Sequence, residues 1–163
     1  MDDSLYVDVC RRQYRAFFAM FRQRLEACPD QAWDERGDEP PFWQQAYHAL
    51  FYSDRYLSDT PAAFQAPAFD TAKFHDLAVT PERPLTREQL LAYLDTVAAK
   101  CEALLDRLAT GGLDADNPFP WTGPTVAHRP VYNLRHAQHH LGWMDSFVSR
   151  RGGLSAPWVC SAD

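Results

Sequence analysis

The chain has 163 residues, 46% of them hydrophobic and 13% aromatic, which predicts one packed domain over residues 1–163 and not a disordered chain. The net charge is −6 and the basic residues form no stripe, which argues against a nucleic-acid partner. No apolar run is long enough to cross a bilayer and only two lysines are present, so we expect no membrane partner.

The first predicted helix runs from about Ser4 to Cys28. Its apolar residues recur at three, four or seven positions, which is typical of a helix with one buried face. Pro29 marks its end, and residues 30–40 are polar and predict a connection.

The second predicted helix begins at Pro41 and ends near Leu57. It is apolar almost all round, which is typical of a buried helix. One stripe is polar, and an unpaired polar group inside a protein costs about 1–3 kcal/mol. We therefore expect partners for this stripe, which consists of Gln44, His48, Tyr52 and Arg55.

Residues 58–85 predict a long proline-containing connection. Structureless connections of this length are uncommon and are often lids or binding loops. The segment carries Phe64, Phe69 and Phe74, which indicates that it packs on the body, either as a wrapped connection or as a pocket wall.

The third predicted helix opens with Thr86 and Gln89, which form a capping-box pattern. It is closed by the pair Gly111-Gly112. A second proline-rich connection follows over residues 113–124 and carries Trp121.

The fourth predicted helix begins between Thr125 and Pro130 and ends near Arg151. We expect the tail to lie across the body through Leu154 and Trp158. Four long helices with two substantial connections predict an all-α four-helix bundle, in which metal sites are built from inward side chains.

Three of the six histidines fall within a five-residue stretch of the fourth helix. At 3.6 residues per turn, His136 and His140 lie about 40° apart and face the protein, whereas His139 faces outward. Two inward imidazoles one turn apart can chelate one ion, although they are also compatible with hydrogen-bonded core histidines. His48 on the second helix is the candidate third ligand.

A site of three imidazoles differs from the common bundle and protease sites. The chain contains no Glu-x-x-His and no His-Glu-x-x-His, which excludes a ferritin-like di-iron centre and a zinc-protease site. Structural zinc sites normally use four protein ligands, so a three-ligand site predicts an open position for catalysis or substrate binding.

Two further residues of the polar stripe are candidates for catalysis. Carboxylates are scarce near the histidines, which weakens the hypothesis of a hydrolase. It favours Lewis-acid activation of a substrate that brings its own nucleophile. Tyr52 is the candidate acid–base group. Arg55 is the candidate residue for binding an anionic group of the substrate. The alternative role for Arg55 is a structural salt bridge with a carboxylate of the bundle.

The remaining reactive residues have structural interpretations. We expect His75 and His128 to be solvated loop residues, and Cys10 and Cys101 to be core residues. The acidic amino terminus lacks the features of a signal peptide, so the expected compartment is the cytoplasm.

The His136-x-x-x-His140-x-Gly142 run, preceded by His48 on the second helix, resembles the DinB-like superfamily of metal-binding four-helix proteins. Three stretches look like its second, third and fourth helices, namely P-F-W-Q-Q-A-Y-H-A-L-F-Y-S-D-R-Y-L, L-T-R-E-Q-L-L-A-Y-L and Y-N-L-R-H-A-Q-H-H-L-G-W. One residue departs from the family pattern, because Trp143 stands where members commonly carry glutamine.

The resemblance implies an up-down-down-up bundle with two long loops, often a homodimer. It implies a zinc, nickel or iron ion held by residues matching His48, His136 and His140. It also implies a small-molecule partner, since some members transfer or isomerise low-molecular-weight thiols such as bacillithiol, mycothiol or glutathione. The leading hypothesis is thus a metal-dependent thiol transferase, against a metal-binding stress-response module without turnover, a metal-dependent hydrolase, or a metal-free bundle.

Overall fold

The computed structural model describes residues 3–152 and 157–160, and its regular elements there are helical apart from one bridge between Asp116 and Thr125. The predicted all-α class is therefore confirmed. In chain order the elements are α1 (Asp3–Ala27), α2 (Asp30–Trp33), α3 (Phe42–Leu57), α4 (Arg87–Leu108), a 3-10 turn (Pro120–Thr122) and α5 (His128–Arg150). None of the described helices combines the length and apolar character needed to cross a membrane.

The helix ends follow the local signals in the sequence. The capping box at the start of α4 is present, with Gln89 N donating to Thr86 Oγ1 at 3.2 Å and Thr86 N donating to Gln89 Oε1 at 2.8 Å. Pro130 lies in the first turn of α5, where its missing N–H breaks no helical hydrogen bond. The prediction of a plain connection over residues 30–40 is wrong in part, because α2 forms there.

The core forms where α1 and α3 each pack against both α4 and α5. Its largest fully buried side chains include Trp43, Tyr14, Tyr47, Phe17, Phe21 and Phe42. The loop over residues 58–85 wraps onto this core, as its three phenylalanines predicted. Phe74 packs edge-on against Trp43, with ring centroids 5.8 Å apart, and Phe64 packs in the same way against Phe51, at 4.9 Å.

The tail differs from its prediction. Trp158 is 71% exposed, so it does not pack across the body as expected. Val159 instead is half-buried and packs against the core. Leu154 lies outside the residues that the structure describes.

The turn before α5 depends on one glycine. Gly123 has a φ of 136°, and a Cβ atom there would lie 2.4 Å from the Cβ of His128. Asn117 holds the same turn from inside, because its Nδ2 donates to Thr122 Oγ1 at 2.7 Å and to the Gly123 carbonyl at 2.8 Å. Both features fix the start of α5.

We expect Gly123→Ala to lower the free energy of unfolding by about 2 kcal/mol or more, because it combines backbone strain with a collision against His128. Gly142→Ala is the matched control. Gly142 lies inside α5 with open space around its Cα, so alanine there should raise stability by up to about 1 kcal/mol. Urea titrations of both variants measure the two effects. Equal stability of Gly123→Ala and the parent would contradict the close approach.

Candidate metal centre

Helices α3 and α5 bring three histidines together. His48 lies on α3, and His136 and His140 lie one turn apart on α5. The ring centroid of His48 lies 4.6 Å from that of His140 and 5.7 Å from that of His136. One nitrogen from each ring lies within 4.8 Å of the others, so these residues could hold one metal ion.

The two histidines of α5 have the spacing of a chelating pair. Their Nε2 atoms are 3.3 Å apart. Zinc–imidazole bonds are about 2.0–2.1 Å long, so two nitrogens at this separation could both bind one ion. The geometry of the α5 pair thus fits a metal ion without movement of the backbone.

Burial keeps the three imidazoles neutral. Burial, with a smaller contribution from the neighbouring histidines, lowers the pKa of His136 to about 4 and that of His140 to about 3. Burial also lowers the pKa of His48. Neutral imidazole is the form that binds a metal ion, because the lone pair of a ring nitrogen must be free.

A backbone carbonyl orients His48. Its Nδ1 donates to the His75 carbonyl at 2.7 Å, which leaves Nε2 with its lone pair for an ion. The ring of His75 stacks flat on Phe51, with centroids 3.9 Å apart, and its Nδ1 lies 2.8 Å from Asp70 Oδ2. The expectation that His75 is a solvated loop residue is therefore wrong, because its ring and carbonyl are both held.

We expect Asp70→Asn to weaken metal binding about tenfold, because Asp70 holds the loop whose carbonyl orients His48. The Asp70 side chain is 2% exposed, and its Oδ1 also accepts from Phe74 N. Asp59→Asn, at an exposed aspartate paired with Arg107, is the matched control and should leave the affinity unchanged. Competition with a chromophoric chelator measures both affinities. Parent-like affinity in Asp70→Asn would show that the loop does not orient the ligand.

The other members of the polar stripe also have defined surroundings. Gln44 donates to the carbonyls of Asp76 and Val79, which anchors the loop over residues 58–85. The ring of Tyr52 lies 4.7 Å from that of His48 and is half-buried. Arg55 is half-buried. Within residues 3–152 and 157–160 it forms no salt bridge, so the structural salt bridge weighed as its alternative role is not seen there.

Three aromatic residues near the site were not predicted. The ring of Tyr56 lies 6.3 Å from that of His136 and 5.3 Å from that of Tyr132. Trp121 donates its indole N–H to the Tyr56 hydroxyl at 3.4 Å. Burial raises the pKa of Tyr56. Helical spacing could have found two of them, since Tyr56 follows Tyr52 by one turn and Tyr132 precedes His136 by one turn.

The remaining residues singled out by the sequence lie outside the cluster. His139 is exposed, as its place on the helix predicted. Trp143 continues the stripe but stacks on Phe147, with centroids 5.0 Å apart. His128 is exposed as expected, but it is the first residue of α5 and not a loop residue.

Comparison with known protein families agrees with this geometry. The model of one family, described as the DinB superfamily, matches residues 13–144, which include all three histidines. The chain belongs to the DinB superfamily. The resemblance read from the sequence is thus confirmed. No curated protein and no solved structure gave a significant match.

Proposed function

We propose that this DinB superfamily protein binds one divalent metal ion through His48, His136 and His140 and uses it to activate a small-molecule substrate. The observation that carries the proposal is the convergence of three neutral imidazoles from two helices. In the described part of the chain no further histidine, cysteine or carboxylate joins them. A four-coordinate ion held there would keep one position for substrate.

We propose thiol transfer as the reaction, with a low-molecular-weight thiol as the substrate that brings its own nucleophile. A zinc, nickel or iron ion would supply Lewis-acid stabilisation of the thiolate. Tyr52 lies against the ring of His48 and would relay the thiol proton through its hydroxyl. Arg55 has no salt-bridge partner among the described residues and would hold an anionic group of the substrate.

Hydrolysis is less well supported. A hydrolase needs a base beside the ion to deprotonate water. The carboxylate of Asp70 already pairs with His75, whose carbonyl orients His48. Its placement supports an orienting role for Asp70 and favours a substrate that needs no activated water.

We also propose the up-down-down-up order that the family implies. Contacts between the helices support this order. They indicate that α1 and α4 run in opposite directions, as do α3 and α5, whereas α1 and α5 run in the same direction, as do α3 and α4. These contacts are Arg11–Glu102, Arg22–Asp95, Phe42–Phe147, Tyr56–Tyr132, Tyr14–Pro130, Arg24–Asp145, Tyr47–Tyr93 and Ser58–Lys100.

The test combines metal analysis with a thiol-transfer assay. Protein loaded with zinc, nickel or iron is mixed with glutathione, bacillithiol or mycothiol and an aryl halide. Formation of the aryl thioether, in which the carbon–halogen bond breaks and halide leaves, is followed by absorbance. We expect turnover that a chelator abolishes, a lower kcat in Tyr52→Phe and a higher KM in Arg55→Gln. Stoichiometric metal without turnover would instead assign the protein to the class of metal-binding modules.

A further inference from the structure

A groove of about 500 Å³ opens beside the first turns of α5. Its wall is formed by Tyr6 of α1, Thr122 of the preceding turn, and Val131 and Tyr132 of α5, with Arg135 among its lining residues. None of the three clustered histidines lines it. Val131 is 56% exposed, so an apolar surface faces this space.

The wall of the groove is held in place before any ligand enters. The Tyr6 hydroxyl donates to the Ala127 carbonyl, which ties α1 to the turn before α5. The Thr122 hydroxyl donates to the Phe119 carbonyl at 2.9 Å and accepts from Asn117 Nδ2 at 2.7 Å, which holds the turn beside α5. A preformed apolar concavity of this volume is typical of sites for small molecules.

One charged side chain distinguishes this groove. The guanidinium of Arg135 lies over the Tyr132 ring, 5.1 Å from its centroid. Arg135 is exposed and has no salt-bridge partner within the part of the chain that the structure describes. No aspartate or glutamate lines the groove. A guanidinium above an aromatic wall suits a planar anion attached to an apolar body, because it offers paired N–H donors to two oxygens.

We infer that this groove binds a small amphipathic carboxylate, with its apolar body against Tyr6, Val131 and Tyr132 and its carboxylate on Arg135. The inference is independent of the metal centre, since the groove and the histidine cluster share no residue. It adds a second ligand site to the protein.

The test uses 2-naphthoate and its neutral isostere 2-naphthamide as probes, titrated calorimetrically into chelator-treated protein. Chelation removes any contribution of a bound ion. We expect saturable binding of one naphthoate, at least about tenfold tighter than that of naphthamide. Arg135→Gln should lower naphthoate affinity to that of naphthamide, and Arg150→Gln, an exposed arginine at the other end of α5, should change nothing.

A second variant tests the apolar wall. Val131→Asp places a negative charge at an exposed position outside the core, so the fold should persist while naphthoate binding is lost. Unchanged naphthoate affinity in Arg135→Gln or Val131→Asp, equal affinity for the two probes, or no saturable binding to the parent protein would each overturn the inference.

Discussion

Replacing His140 with alanine is expected to lower the affinity for a divalent metal ion about a hundredfold. His140 supplies one of three nitrogens, and its Nε2 lies 3.3 Å from that of His136. Structural zinc sites bind with about 10–16 kcal/mol in total, so one lost ligand should cost on the order of 3 kcal/mol, or about a hundredfold in affinity. Purification followed by elemental analysis, and then titration with zinc, measures the loss.

The neighbouring His139→Ala is the matched control. His139 is exposed on the same helix, and its ring lies 5.2 Å from that of His140. This variant changes the number of histidines and the local sequence as much as His140→Ala does, but it removes no inward nitrogen. It should bind metal like the parent protein. Equal loss in both variants would show that binding depends on a surface cluster and not on the convergence with His48.

The part of the site that helical periodicity governs could be predicted from the sequence. Imidazoles at positions 136 and 140 share a face because four residues exceed one helical turn by only about 40°. His48 could be found because a polar stripe on a buried helix demands partners. The four-residue helix α2 could not be found in the same way, because so short a segment has no apolar period.

The outer part of the site depends on contacts that no local pattern encodes. His48 bonds to the carbonyl of His75, 27 residues further along the chain. Every residue offers a carbonyl, so side-chain identities do not mark this partner. Trp121 donates a hydrogen bond to Tyr56, which lies 65 residues earlier in the chain. The loop that carries Trp121 takes its course from Gly123 and Asn117. The sequence shows that such loops exist but not which atoms they place beside the helices.

Metal binding is also expected to stabilise the fold strongly. The ligands come from α3 and α5, so an ion joins the two helices only when the chain is folded. At free metal about 1,000-fold above Kd, linkage raises the free energy of unfolding by about 4 kcal/mol. The gain will be somewhat smaller than this, because His136 and His140 stay four residues apart in the unfolded chain and retain weak affinity there.

Urea titrations followed by far-UV circular dichroism, with free metal buffered at two concentrations, measure this stabilisation. His48→Ala separates the contribution of the α3 ligand from that of the α5 histidine pair, because it removes the first and leaves the second intact. In that variant the ion no longer joins two helices, and the added stability should fall to about 1.4 kcal/mol or less. If His48→Ala gained as much stability from metal as the parent protein, the ion would not be held between α3 and α5.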